Sequence, residues 1–128
     1  MMGRVLIVED NDLNMKLFHD LLTIQKHQVF ISRDGVSVME MALSQNLDLI
    51  LMDIQLNGIS GIDLIYNLKA NPDTSSIPII AITAFAMKKD EIHISQSGCD
   101  MYLAKPVSID RFFKAVEKFV KPVKENII

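Results

Sequence analysis

Short, uninterrupted apolar runs recur along this chain at 5–8 (VLIV), 49–52 (LILM), 79–82 (IIAI) and 101–104 (MYLA). A strand with one wet face alternates polar and apolar residues. A strand apolar at nearly every position is buried on both faces, the habit of a parallel sheet covered by helices. Val29, Phe30 and Ile31 make a fifth, shorter run. Helix-period segments lie between the runs. Leu13, Leu17 and Leu21 recur at every fourth position with Phe18 and Leu22 beside them. They predict one apolar stripe on a helix of about 14 residues, capped by Asn11 or Asp12. Val38, Met39, Ala42 and Leu43 mark a second helix after Gly35, and Gly61, Leu64, Ile65 and Leu68 a third that Asn71-Pro72 ends. Residues 88–97 form a weaker fourth, stopped near Gly98. Ile109, Phe112, Phe113, Val116, Phe119 and Val120 give the clearest stripe, a fifth helix with Pro122 beyond it.

Strand and helix thus alternate through five βα units, which predicts an α/β fold with a doubly wound parallel sheet and right-handed crossovers. The 128 residues suit one domain. At 49% apolar and 23% charged, the chain can bury a core and is not of disordered composition. A net charge of −3 argues against a nucleic-acid partner, which calls for a basic face. The longest apolar stretch, 77–87, is broken by Pro78 and Thr83 and falls short of the ~18 residues of a membrane span. The single cysteine, Cys99, excludes an internal disulfide and fits a reducing compartment, so a cytoplasmic location with no membrane partner is expected. Cys99 is expected to be a small buried residue. His19, His27 and His93 lack zinc-ligand spacing. The eight methionines fall mostly on predicted core faces.

Parallel α/β sheets bind ligands beyond the carboxyl ends of their strands, at the point where strand order reverses. In the flavodoxin-like order 2-1-3-4-5 that point lies between the first and third strands. The first run ends in Glu9-Asp10, the third in Asp53, the fourth in Thr83-Ala84 and the fifth in Lys105-Pro106. The second ends in Ser32-Arg33-Asp34, with no obvious chemistry. Neighbouring strands are only ~4.8 Å apart, so Glu9, Asp10 and Asp53 share one crevice, with Thr83 and Lys105 arriving from the next two strands. Three carboxylates that close repel unless a pKa rises or a cation compensates. Carboxylate oxygens with water and a phosphate oxygen suit one Mg²⁺. Lys105 brings a mobile positive charge, Thr83 a hydroxyl donor, and an aspartate so placed can act as a nucleophile toward phosphorus.

These segments, VLIVEDN at 5–11, LILMD at 49–53, Ile82-Thr83-Ala84 and Lys105-Pro106, resemble the receiver domain of bacterial response regulators, over about residues 3–121. The stretch EDNDLNMKLFHDLL at 9–22, with Asp53-Ile54-Gln55-Leu56 and residues 81–88, looks closest to the DivK-type single-domain branch of that family. The resemblance implies that Asp53 accepts the phosphoryl group. Asp10 and Asp53 would hold Mg²⁺ through side chains and Gln55 through its backbone carbonyl, with Glu9 acting mainly through water. Thr83, Lys105 and the Ala84 N–H would contact the phosphoryl group. Lys105-Pro106 would be a cis peptide, and Thr83 with Tyr102 would form the switch. Gln55 and Phe85 occupy positions that tune phosphoryl lifetime in the family. Where the family often has proline four residues after the acceptor, this chain has Asn57, followed by Gly58.

The same resemblance implies a histidine kinase or histidine phosphotransfer protein as donor. It implies kinase-like or other protein targets that read the face formed by the fourth helix, fifth strand and fifth helix, in cell-cycle or division control. Only 123–128 follow Pro122, too few for a DNA-binding helical module. A single domain over 1–128 with no output domain is therefore expected. An aspartate-nucleophile phosphatase usually carries a second aspartate two residues after the nucleophile; Gln55 stands there instead. A flavodoxin-like cofactor carrier needs a phosphate loop after the first strand, where Glu9-Asp10-Asn11-Asp12 would repel a phosphate.

Overall fold

The computed structural model describes residues 3–84 and 88–120. Phe85 and Pro122 lie outside them. Elements alternate as β1 (Arg4–Val8), α1 (Asp12–Ile24), β2 (Gln28–Ser32), α2 (Val38–Ser44), β3 (Leu49–Asp53), α3 (Gly61–Ala70), β4 (Ile79–Thr83), α4 (Lys88–Gln96), β5 (Met101–Ala104) and α5 (Ile109–Glu117). The strands are all parallel, in the order β2-β1-β3-β4-β5. This is the flavodoxin-like α/β arrangement, with the order reversing between β1 and β3.

Side-chain alternation explains why the strands read as solid apolar runs. Val5, Ile7, Leu49, Leu51, Ile80 and Ile82 point into one core, with Phe18 and Leu22 of α1 and Phe112 and Val116 of α5. Leu6, Val8, Ile50, Met52, Ile79 and Ala81 point into the other, with Val38 of α2, Ile65 and Leu68 of α3 and Ile94 of α4. The Phe18 and Phe112 rings stack at 5.3 Å between centroids, tying α1 to α5.

The first helix buries only part of the stripe expected of it. Its buried residues are Met15, Phe18, Leu21 and Leu22, while Leu13 is 80% exposed and Leu17 40%. At ~100° per residue, positions 13, 17 and 21 spread about 80° round the axis, and the sheet-facing wedge centres on 15, 18 and 22. Asn11, not Asp12, caps the helix, its Oδ1 accepting from the Asn14 N–H at 3.0 Å. The fifth helix stops at Glu117, so Phe119 and Val120 lie in the turn beyond it. Cys99 is half-buried rather than buried, because it lies in the exposed connection before β5. Its thiol sits 3.3 Å from the Ile94 carbonyl, and partial burial raises its pKa.

Away from the strand carboxyl ends, Lys69 pins the connections that lead into β4 and β5. Its Nζ donates to the carbonyls of Ser75 (3.2 Å) and Ile77 (2.9 Å) and to Asp100 Oδ2 (2.9 Å). Asp100 Oδ2 also accepts from the Ile79 N–H at 2.8 Å. Lys69→Met keeps the aliphatic stem but takes the Nζ donor from three acceptors, of which Asp100 Oδ2 keeps the Ile79 N–H. An expected loss of about 2 kcal/mol follows, read as a lower midpoint in urea unfolding.

Candidate functional site

The register that pairs Val8 with Met52 sets Glu9 beside Asp53, one residue beyond the pair. Glu9 is 1% exposed and Asp53 3%, while Asp10 leans partly into solvent. One carboxylate oxygen from each of the three lies within 4.8 Å of the others. Lys105 follows β5 and returns across the sheet end, its Nζ 3.3 Å from Glu9 Oε2 and 3.2 Å from Asp53 Oδ2. Its own backbone N–H donates to the Thr83 carbonyl at 2.7 Å, which fixes the chain just before the cis Lys105-Pro106 peptide.

Each carboxylate also receives one backbone N–H. Asn11 donates to Glu9 at 3.2 Å, Gln55 to Asp53 Oδ1 at 2.9 Å and Asn57 to Asp10 Oδ2 at 2.9 Å. Two of those donors come from the loop after β3, which wraps around the cluster. Gly58 follows with φ of 85°, a left-handed turn that favours glycine. The loop closes at Gly61, the first residue of α3. A Cβ there would stand 2.5 Å from the Asp53 carbonyl oxygen and 2.7 Å from Ile54 Cα. Gly61→Ala therefore forces α3 away from the end of β3, with an expected loss of about 1–3 kcal/mol in urea unfolding.

Three carboxylates face one lysine, an excess of two negative charges if all are ionised (three minus one). The crowding shows in the carboxyl group that burial penalises most. The Glu9 pKa is pushed up to about 7, first by burial, then by its hydrogen bond to Asp53 and repulsion from that carboxylate. Lys105 and the Asn11 N–H oppose the rise. An all-oxygen donor set with two charges in excess is the chemistry a hard divalent cation satisfies. The residues present fit such an ion.

Glu9, Asp10, Asp53 and Lys105 come together as the sequence suggests. Thr83 is fully buried at the end of β4, in register with Ala104. Gln55 and Ala84 adjoin the cluster and touch each other, the Ala84 N–H donating to Gln55 Oε1 at 3.3 Å. Tyr102 stands outside the cluster on β5. The neighbouring Glu91 carboxylate of α4 raises its phenol pKa. Several contributors escape a sequence reading. Asn57 acts through its N–H, which a proline there would lack. Buried Ser32 gives β2 a role after all: its carbonyl accepts the Glu9 N–H at 3.1 Å, and its hydroxyl accepts from Gly35 at 3.1 Å. Arg33 pairs with Asp12 at the rim. Main-chain contacts carry no side-chain signature.

Five parallel strands in this order, with an acidic cluster and a lysine at the reversal point, define a phosphoryl-type α/β receiver site rather than a nucleotide cradle. Residues 5–117 match the response regulator receiver domain family, and the chain belongs to that family. Family membership makes it a signalling receiver rather than a conventional enzyme. A curated relative, the polar-differentiation response regulator DivK of Brucella ovis, is 45% identical over 116 residues, covering 91% of this chain and 94% of the relative. Among solved structures, the receiver domain of a sensor histidine kinase from Pseudomonas aeruginosa is similar with a TM-score of 0.85 and 29% identity, covering 93% of this chain and 98% of that one. That structure has a magnesium ion coordinated in its active-site cleft. A phosphorylated cyanobacterial phytochrome response regulator superposes with a TM-score of 0.79 at 25% identity, over 93% of this chain and 94% of that one. Among the described residues, no helix is long and apolar enough to cross a membrane.

Proposed function

We propose that this chain is a Mg²⁺-dependent phosphorylation switch in which Asp53 accepts a phosphoryl group from a phosphohistidine. The supporting observation is the geometry of Asp53. Its Oδ1 is held by the Gln55 N–H at 2.9 Å and its Oδ2 lies 3.2 Å from Lys105 Nζ. One oxygen is thus fixed while the other stands beside a cation, at the mouth of a strand end. In the transfer an Asp53 oxygen attacks phosphorus, forming a P–O bond as the P–N bond to the donor imidazole breaks. The imidazole nitrogen leaves with the electron pair and regains its proton from solvent. A divalent cation held by Asp10, Asp53 and the Gln55 carbonyl, with Glu9 behind it, would supply charge neutralisation at the phosphoryl oxygens. Lys105 and the Ala84 N–H meet those oxygens from the chain's side, and Thr83 turns toward them.

The added charge, about −1.5 to −2 for a phosphorylated side chain of the usual kind, then biases a two-state surface. The face built from α4, β5 and α5 is the output surface. Ile92, Tyr102 and Ile109 are exposed on it, and the Tyr102 phenol feels the Glu91 carboxylate of α4. Partners that prefer the modified form must also stabilise it. Similarity to DivK, a polar-differentiation response regulator, supports a cell-cycle role in the cytoplasm with histidine-kinase or phosphotransfer donors. Incubation with acetyl phosphate and Mg²⁺ tests the core of the proposal. Intact mass is expected to show one added phosphoryl group, lost when EDTA replaces Mg²⁺. A protein that stays unmodified with Mg²⁺ present would contradict it.

A further inference from the structure

Gln55 does two things at once. Through its main chain it holds Asp53 Oδ1 at 2.9 Å, and through its side chain it accepts the Ala84 N–H at 3.3 Å. The loop after β3 is thereby tied to the chain leaving β4, across the mouth of the acidic pocket. We propose that the Gln55 carboxamide is a built-in stand-in for the phosphoryl group, occupying the Ala84 N–H until modified Asp53 displaces it.

This inference rests on the assignment of Asp53 as phosphoacceptor and of Ala84 N–H as a phosphoryl contact. A single N–H cannot serve two acceptors at full strength. An ionised phosphoryl oxygen is roughly twice as strong an acceptor as a neutral amide carbonyl, so it wins the exchange. The winning bond is reduced by what the carboxamide bond was worth, and that difference holds the unmodified chain in its resting arrangement. Ala84 is exposed and Gln55 half-buried, so water can take the place of either partner. The bias is therefore modest and tunable rather than a lock. Displacement also frees the Gln55 side chain, which makes the residue a positioning element that senses Asp53 through one bond and releases Ala84 through the other.

Gln55→Leu removes the acceptor and keeps an apolar stem of similar bulk. With Mg²⁺ saturating, beryllofluoride (a phosphoryl mimic) is expected to bind the variant about threefold to tenfold more tightly than the wild type, the range one net hydrogen bond spans. Amide exchange at Ala84 in the metal-free protein is expected to quicken by a similar factor. A merely structural role would not move that single resonance. The wild type offers a reading that needs no variant: beryllofluoride should shift the Ala84 amide and sharpen the Gln55 side-chain NH₂ signals together. Equal or weaker beryllofluoride binding by Gln55→Leu, with normal binding by the wild type, would overturn the stand-in role alone. A Gln55 side-chain signal unmoved while Ala84 shifts would do the same. Failure of the wild type to bind beryllofluoride at all would instead overturn the phosphoryl-switch assignment, and the stand-in with it.

Discussion

Asp53→Asn is expected to lose the phosphoryl adduct altogether, with labelling by acetyl phosphate and Mg²⁺ falling at least ~100-fold, the scale on which removal of a nucleophile is felt. The substitution is nearly isosteric. An asparagine Oδ1 can still accept the Gln55 N–H that holds Asp53 at 2.9 Å, so the loop after β3 keeps its anchor. What disappears is the nucleophilic charge beside Lys105. The variant should also be no less stable than the wild type, because one member of a mutually repelling carboxylate trio becomes neutral. Intact mass for the adduct and urea unfolding for stability separate the two effects. An adduct of undiminished yield in Asp53→Asn would place the acceptor on another residue.

Lys105→Ala should have the second-largest effect, and a different one. Glu9 and Asp53 are 1% and 3% exposed and share this cation. Removing one partner of a buried charge group commonly costs about 3–5 kcal/mol. Here the cost is capped, because Glu9, already raised to about 7, can take up a proton instead. A loss of about 1–3 kcal/mol without metal is expected, partly restored by Mg²⁺. Mg²⁺ binding itself should survive, since Lys105 offers no ligand. Modification of Asp53 should then fail to reach the α4-β5-α5 face, seen as Tyr102 ring signals that stay put after beryllofluoride is added. Complete loss of metal affinity in Lys105→Ala would contradict the role given to the lysine.

Much of this was legible in the residues. Continuous apolar runs named four of the strands, because burial on both faces removes alternation, and the polar residues after those four runs named the pocket. The order β2-β1-β3-β4-β5 then does the gathering. On α1 the expected stripe is buried at Phe18, Leu21 and Leu22 but exposed at Leu13 and Leu17, because residues four apart drift by about 40° round the axis and Met15 takes the remaining inward place. Cys99 read as buried from its residue type, whereas its place in a connection sets its exposure. The N–H groups of Gln55 and Asn57 on Asp53 and Asp10, and the Ser32 carbonyl beneath Glu9, belong to backbone that almost any residue could supply, proline at the two N–H positions excepted. Contacts of that kind are fixed by the path of the loop and leave no residue-type signal. The Gln55–Ala84 bond was hidden for a related reason: its two residues lie 29 apart and meet only once the sheet is assembled.

A crystal structure of the protein soaked with Mg²⁺ and beryllofluoride addresses the whole assignment in one step. Beryllium should be bonded to an Asp53 oxygen, with Lys105 and the Ala84 N–H on its fluorides and the metal among Asp10, Asp53 and the Gln55 carbonyl. Beryllium on a different carboxylate, or a metal bound away from Glu9, Asp10 and Asp53, would contradict it.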